Sequence, residues 1–276
     1  MPRESRQELL TYLGTIRKNT GRNDPISLKQ LSKSSGPLCR CISGWLQVGV
    51  AALLQKLKGK PYYLPTGVSG RHSEFNALPH PIGARFVLFR VRPGLSVMTL
   101  SADHGVRVET TFRMAFKGGL NLFSNDGHKL TIHSLHFDGY RHYGRRLDLS
   151  RILRDLGERA DKFEIPTGIT LHDASSDHRR SDSQGYDDCQ LLQLTDLLVS
   201  GFRTMLGEAT CEAQRQACSP LVVLAEKWNR GRVGFQNSRW HNGFCISEAS
   251  IVGGSWQFAS ITPAIKDAQT ELFDEQ

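Results

Sequence analysis

Residues 189–206, CQLLQLTDLLVSGFRTML, constrain the fold more than any other stretch. Leucines recur there at helical spacing, giving the strongest helix signal in the chain. One carboxylate, Asp196, interrupts this otherwise apolar helix, with Leu192 and Val199 on its flanks. An acid at the edge of a buried helix face is costly unless it is paired, hydrogen-bonded or bound to a cation.

The segments before this helix alternate between strand and helix signals. Strands are expected at 85–91 and 95–100, joined by the turn Arg92-Pro93-Gly94. Residues 109–123 carry apolar side chains at helical spacing and close at Asn125-Asp126-Gly127. A β-favouring run at 130–137 ends in Asp138-Gly139. A helix over about 147–160 follows, and a strand at 168–171 then runs into His172-Asp173. Residues 246–258 read as a final strand or two. This order predicts a mixed α/β layer structure.

Charge divides the chain unevenly. Residues 1–62 hold eleven Lys or Arg and only Glu4, Glu8 and Asp24 as acids. The remainder is balanced, so the whole excess of +8 lies at the start. Such a segment attracts polyanions through counterion release, or it is simply a basic surface. Nothing approaches the ~20 consecutive apolar residues of a membrane span. The polar start lacks an apolar signal core, so no membrane association and a cytoplasmic location are expected. The six cysteines form no C-x-x-C pair and read as free thiols in a reducing compartment.

The N-terminal segment reads as three helices. Ser5-Arg6-Gln7-Glu8 fits a capping box ahead of a helix at 6–18, with Leu9, Leu10, Leu13 and Ile16 on one face. Ser27 is placed to cap a short helix, 28–34, broken at Ser35-Gly36-Pro37. A third helix is expected at about 39–57, although Gly44 and Gly49 oppose it. A basic turn with Lys58 and Lys60 follows. This order resembles a winged helix-turn-helix, in which the longer helix enters the major groove. The resemblance implies a small DNA-reading unit over 1–66, with Lys29, Lys33, Arg40, Lys58 and Lys60 as nucleic-acid contacts. Trp45 is either a core anchor or a base-stacking residue.

The segments KLTIHSLHFDG, CQLLQLTDLLVSGF and RWHNGFCISEASIVGGSWQF resemble the domain-of-unknown-function 3800 family, over roughly residues 70–258. That resemblance implies an RNase H-like mixed sheet flanked by helices, spanning 67–276. It also implies a late-helix Gln-x-x-Asp motif, here Gln193-Leu194-Thr195-Asp196. The family pattern begins with a strand ending in Asp-Glu-Ser, and this chain has none. Glu74, Asp103 and Glu109 are the candidate replacements, and Glu109 opens the helix before the Asp138 strand.

These residues imply a metal-dependent nuclease or related phosphodiester hydrolase. Asp138, Asp196, Gln193 and Glu109 are its expected catalytic groups, and Asp138, Asp196 and Asp173 its expected ligands for Mg²⁺ or Mn²⁺. Asp188 is a further candidate for the shell, and His172-Asp173 a candidate general-base pair. Carboxylates brought together repel one another, and a divalent ion relieves that repulsion while activating water. His133 and His136 differ by three, so a regular strand puts them on opposite faces, unlike a metal pair. Arg230, Arg232 and Arg239, among Trp228, Phe235 and Trp240, would either grip a single strand or rim a core. The alternative overall reading is a non-catalytic nucleic-acid-binding regulator built on a degenerate RNase H-like fold.

Overall fold

The structure is a computed structural model. It describes residues 3–53, 64–65, 72–73, 84, 86–91, 103, 106, 109–116, 130–137, 154, 163–169, 171–173, 185–205, 211–222, 244–252 and 255–260. The chain forms two compact units of mixed helix and strand. One holds Met1–Phe86, Gln193–Cys245 and Thr262–Gln276, and the other Val87–Leu192 and Ile246–Ile261. The division does not fall at residue 66, where an independent N-terminal domain was expected to end. The first unit instead draws on the beginning, the late middle and the end of the chain.

The first unit is built on helices. Helix α1 (Arg3–Thr20) begins two residues before Ser5, so Ser5 lies inside the helix and is not its cap. Leu9, Leu10 and Leu13 form its buried stripe. Thr11, Thr15 and Thr20 return their hydroxyls to the carbonyls of Gln7, Thr11 and Ile16, which lets threonine sit within a helix. The helix ends in a Schellman motif. Gly21 has φ +63°, its N–H donates to Lys18 O, and the N–H of Arg22 donates to Arg17 O.

The expected second helix is only a 3₁₀ turn, Leu28–Gln30, with Leu28 buried. Gly36, at φ +117°, then admits Pro37 as the first residue of α2 (Pro37–Leu53). Ten of the 17 residues of α2 are buried, and its single charge is Arg40. Trp45 is fully buried and donates Nε1–H to Leu13 O, so it is a core anchor. A short antiparallel ribbon follows, β1 (Leu64–Pro65) with β2 (His72–Ser73).

The glycines that spoke against α2 are what allow it to pack. A Cβ on Gly44 would meet Ile16 Cγ2 at 3.1 Å, and one on Gly49 would meet Leu194 Cδ1 at 3.1 Å. The same holds for Gly201, where a Cβ would lie 2.5 Å from Leu221 Cδ1. Helix propensity is given up at these positions for close interhelical approach.

Strand β3 (Phe86–Val91), all but its first residue in the second unit, joins β8 (Phe244–Val252), in that unit from Ile246 on, and β9 (Ser255–Ser260) in the order β3-β8-β9. Strands β8 and β9 are antiparallel, with Val252 opposite Ser255 at the turn. Helix α3 spans 109–116. Next come β4 (Leu130–Thr131) and β5 (Leu135–Phe137), where one continuous strand was expected. They pair in parallel with β6 (Phe163–Glu164) and β7 (Leu171–Asp173), respectively. Strand β6 lies just after the expected 147–160 helix, of which residue 154 is described, as helical. Parallel neighbours need a crossover of a dozen or more residues, and the sequence between β5 and β6 is long enough for one. Helix α4 (Tyr186–Arg203) starts after Gly185, whose φ is +81°, and passes from the second unit into the first between Leu192 and Gln193. Helix α5 (Glu212–Ala217) belongs to the first unit, where Gln214 Nε2 donates to Leu28 O.

Candidate active site

The parallel pair β5–β7 sets the geometry. Its register places Leu135 opposite Leu171, His136 opposite His172, and Phe137 opposite Asp173. Asp138 is one peptide bond beyond the residue opposite Asp173 and lies outside the described residues. Ligands of α/β folds gather at the carboxyl ends of parallel strands, and this is such an end.

The first turn of α4 reaches the same place. His136 Nδ1 lies 3.7 Å from Asp188 Oδ2, with both side chains 28% exposed. Asp187 and Asp188 are both in this first turn, where the helix dipole favours negative charge. On the other side of the imidazole, His136 Nε2 lies 3.1 Å from Ser134 Oγ. Leu135, between these two, is buried while Ser134 and His136 are exposed, as strand alternation dictates.

The remaining expected site residues fall elsewhere. Asp196 is exposed on α4, so the desolvation cost that singled it out is not incurred. It also lies eight residues beyond Asp188, about 12 Å of helix rise. Gln193 is buried, and its Oε1 accepts from Arg17 Nη2 at 2.5 Å and from the Ile26 N–H at 3.4 Å. That bonding makes it an internal tie to the amino-terminal helix. Glu109 is buried in the second unit, with Oε1 3.6 Å from Arg113 Nε. Asp103 is exposed and accepts the Val106 N–H at 3.3 Å, as a local cap. Lys29, Lys33 and Arg40 are exposed. Glu74, Lys58, Lys60 and the cluster around Arg230 lie outside the described residues.

Among the described residues, no group of three or more His, Cys, Asp or Glu side chains is arranged to hold a metal ion. Cys39, Cys41, Cys189, Cys211 and Cys218 are free thiols. Burial pushes the Cys39, Cys41 and Cys218 thiols up, Cys218 to about 12 despite a hydrogen bond with Thr204. None of those three suits nucleophilic work at neutral pH.

Sequence reasoning missed the His136–Asp188 contact, because 52 residues separate the two. It also missed Arg17, a buried cation 4.7 Å from the Trp45 ring centre. The i, i+2 spacing of Ser134 and His136 across a buried leucine was the one local signal available. No family model, curated protein or solved structure matches the chain. No helix among the described residues is long and apolar enough to cross a membrane.

Proposed function

We propose that the protein is a divalent-cation-dependent phosphodiester hydrolase acting on nucleic acid, with an RNase H-like second unit related to the domain-of-unknown-function 3800 family. The observation that carries this reading is the His136–Asp188 contact. It brings the acidic start of α4 to the strand end that carries Asp173 and leads into Asp138. Asp188 thus lies beside a strand pair whose register sets Phe137, the sequence neighbour of Asp138, opposite Asp173. Asp138, Asp173 and Asp188 would hold Mg²⁺ or Mn²⁺, which would supply Lewis-acid stabilisation of phosphoryl oxygens and an activated water. Asp196 and Gln193 are not part of this centre. Lys29, Lys33 and Arg40 add exposed positive charge suited to a phosphate backbone.

The test is cleavage of single- and double-stranded DNA and RNA with Mn²⁺ or Mg²⁺ added. The reading expects cleavage that stops on chelation and falls at least about 100-fold in Asp138→Asn or Asp188→Asn. Salt-sensitive binding without cleavage under either metal would favour the non-catalytic regulator instead.

A further inference from the structure

Resting on the nucleic-acid reading above, we propose that residues 26–40 are a duplex-backbone anchor, gripping phosphates of a double-stranded nucleic acid whatever its sequence. The segment's charges are Lys29, Lys33 and Arg40, and no acid occurs from Ile26 to Leu53. All three cations are exposed, and none is in an ion pair among the described residues. Other guanidiniums are committed: Arg22 to Asp24, Arg90 to Glu248, Arg113 to Glu109 and Arg215 to Glu212. Arg40 stands in the first turn of α2, which holds no acid. The helix dipole opposes a cation there, so Arg40 adds to the local positive field at the helix's expense.

The inner side of the segment is tied down. Ile26, Leu28, Leu31 and Cys39 are buried, while Lys29, Ser32, Lys33, Ser34, Ser35 and Arg40 face solvent. Gln214 Nε2 donates to Leu28 O at 3.2 Å, and the Cys211 thiol to Leu31 O at 3.5 Å. Helix α5 and its N-cap residue thus pin both ends of the turn that carries Lys29. The Ile26 N–H donates to Gln193 Oε1 at 3.4 Å. With the backbone fixed beforehand, mainly side-chain ordering opposes binding. The serine hydroxyls add phosphate donors without selecting a base. Single strands are held by aromatic rings that stack on bases, and residues 26–40 contain no aromatic side chain. Membrane surfaces are held by apolar side chains that insert, and no large apolar side chain of this segment is exposed. The backbone of a duplex fits what is left.

The experiment uses the full chain and the fluorescence anisotropy of labelled duplexes of two unrelated sequences, and of one of their single strands. Chelator is present throughout, and salt is raised from about 50 to about 200 mM. Each phosphate contact contributes about −0.9 to the slope of log affinity against log salt, so three contribute about −2.7. The triple variant Lys29→Gln, Lys33→Gln, Arg40→Gln should lose that much slope, equally on both duplexes. Over this range wild type should lose about 40-fold more affinity than the triple variant. The substituted side chains are exposed, so circular dichroism should match wild type. An unchanged slope in the triple variant overturns the proposal, as does a preference of about tenfold or more for one duplex or for the single strand. Capture on anionic phospholipid vesicles without duplex binding overturns it in favour of a membrane surface. Because binding is read without metal, absence of cleavage with Mn²⁺ sinks only the hydrolase reading, and an unchanged slope sinks only the anchor.

Discussion

Replacing Arg17 with methionine probes how the first unit is held together. The side chain is buried, at 3% exposure. Its guanidinium donates to Asp24 O at 2.7 Å, to Arg22 O at 3.3 Å and to Gln193 Oε1 at 2.5 Å, and it lies against the Trp45 ring. Methionine keeps much of the aliphatic stem and removes every donor. A hydrogen bond to a charged group contributes about 1.5–3 kcal/mol net, and a desolvated cation–π contact about 2. Relief of the cation's own desolvation offsets part of this loss. We expect a net loss of about 3–4 kcal/mol, with the carbonyls of Arg22 and Asp24 the chief groups left short of a donor. Gln193 Oε1 retains the Ile26 N–H, so its own loss is partial. The assay is urea unfolding followed by tryptophan fluorescence, comparing midpoints at constant slope. A double-mutant cycle with Gln193→Leu isolates the tie to α4, with an expected coupling of about 1.5–3 kcal/mol. Arg17→Met within about 1 kcal/mol of wild type, or a coupling below about 0.5, would refute the assignment of Gln193 as an internal tie.

Further outcomes follow from other contacts. Gly201→Ala should cost about 1–3 kcal/mol, measured as a lowered thermal midpoint, because its Cβ would meet Leu221 at 2.5 Å. Trp45→Phe should cost about 1 kcal/mol in urea unfolding through the lost bond to Leu13 O. Cys218 gives a pH dependence. Its thiol is raised from 9.0 to about 12 in the folded protein, so only the unfolded chain ionises it between those values. Its contribution is fully present below pH 9 and declines by about 1.4 kcal/mol per pH unit above it, until the folded thiol also titrates. Urea midpoints at pH 8, 9 and 10 should show this decline, and Cys218→Ala should make it shallower, with the remainder coming from the raised Cys39 and Cys41 thiols.

The helices of this chain were legible because their signal is local. The 3.6-residue spacing of Leu9, Leu10 and Leu13, and of Leu194, Leu197 and Leu198, marks a buried stripe before any tertiary contact is known. Their ends were less so. Ser5 and Glu8 have capping-box spacing, yet the helix starts at Arg3. Gly44 and Gly49 carry a propensity penalty that only interhelical distance explains. The strand at 130–137 was expected, but its parallel partner at 163–173 was half misread, because pairing over that separation leaves no local trace. The site was legible as residue types and not as partners. Asp196 stood out because an acid among leucines looks buried, whereas its place on α4 faces solvent. Gln193, three residues earlier, faces the interior and binds a cation 176 residues away. His136 and Asp188 were both noticed, but nothing in their spacing announces that α4 begins beside β5.

The reading of the strand end as a cation-dependent hydrolase meets its most direct test in one titration. Wild type, Asp188→Asn and Asp196→Asn are incubated with labelled DNA and RNA over a range of Mn²⁺ concentrations, and product is quantified. The account predicts cleavage that saturates with metal in wild type and in Asp196→Asn, and collapses in Asp188→Asn. Cleavage that survives in Asp188→Asn but is lost in Asp196→Asn would contradict it.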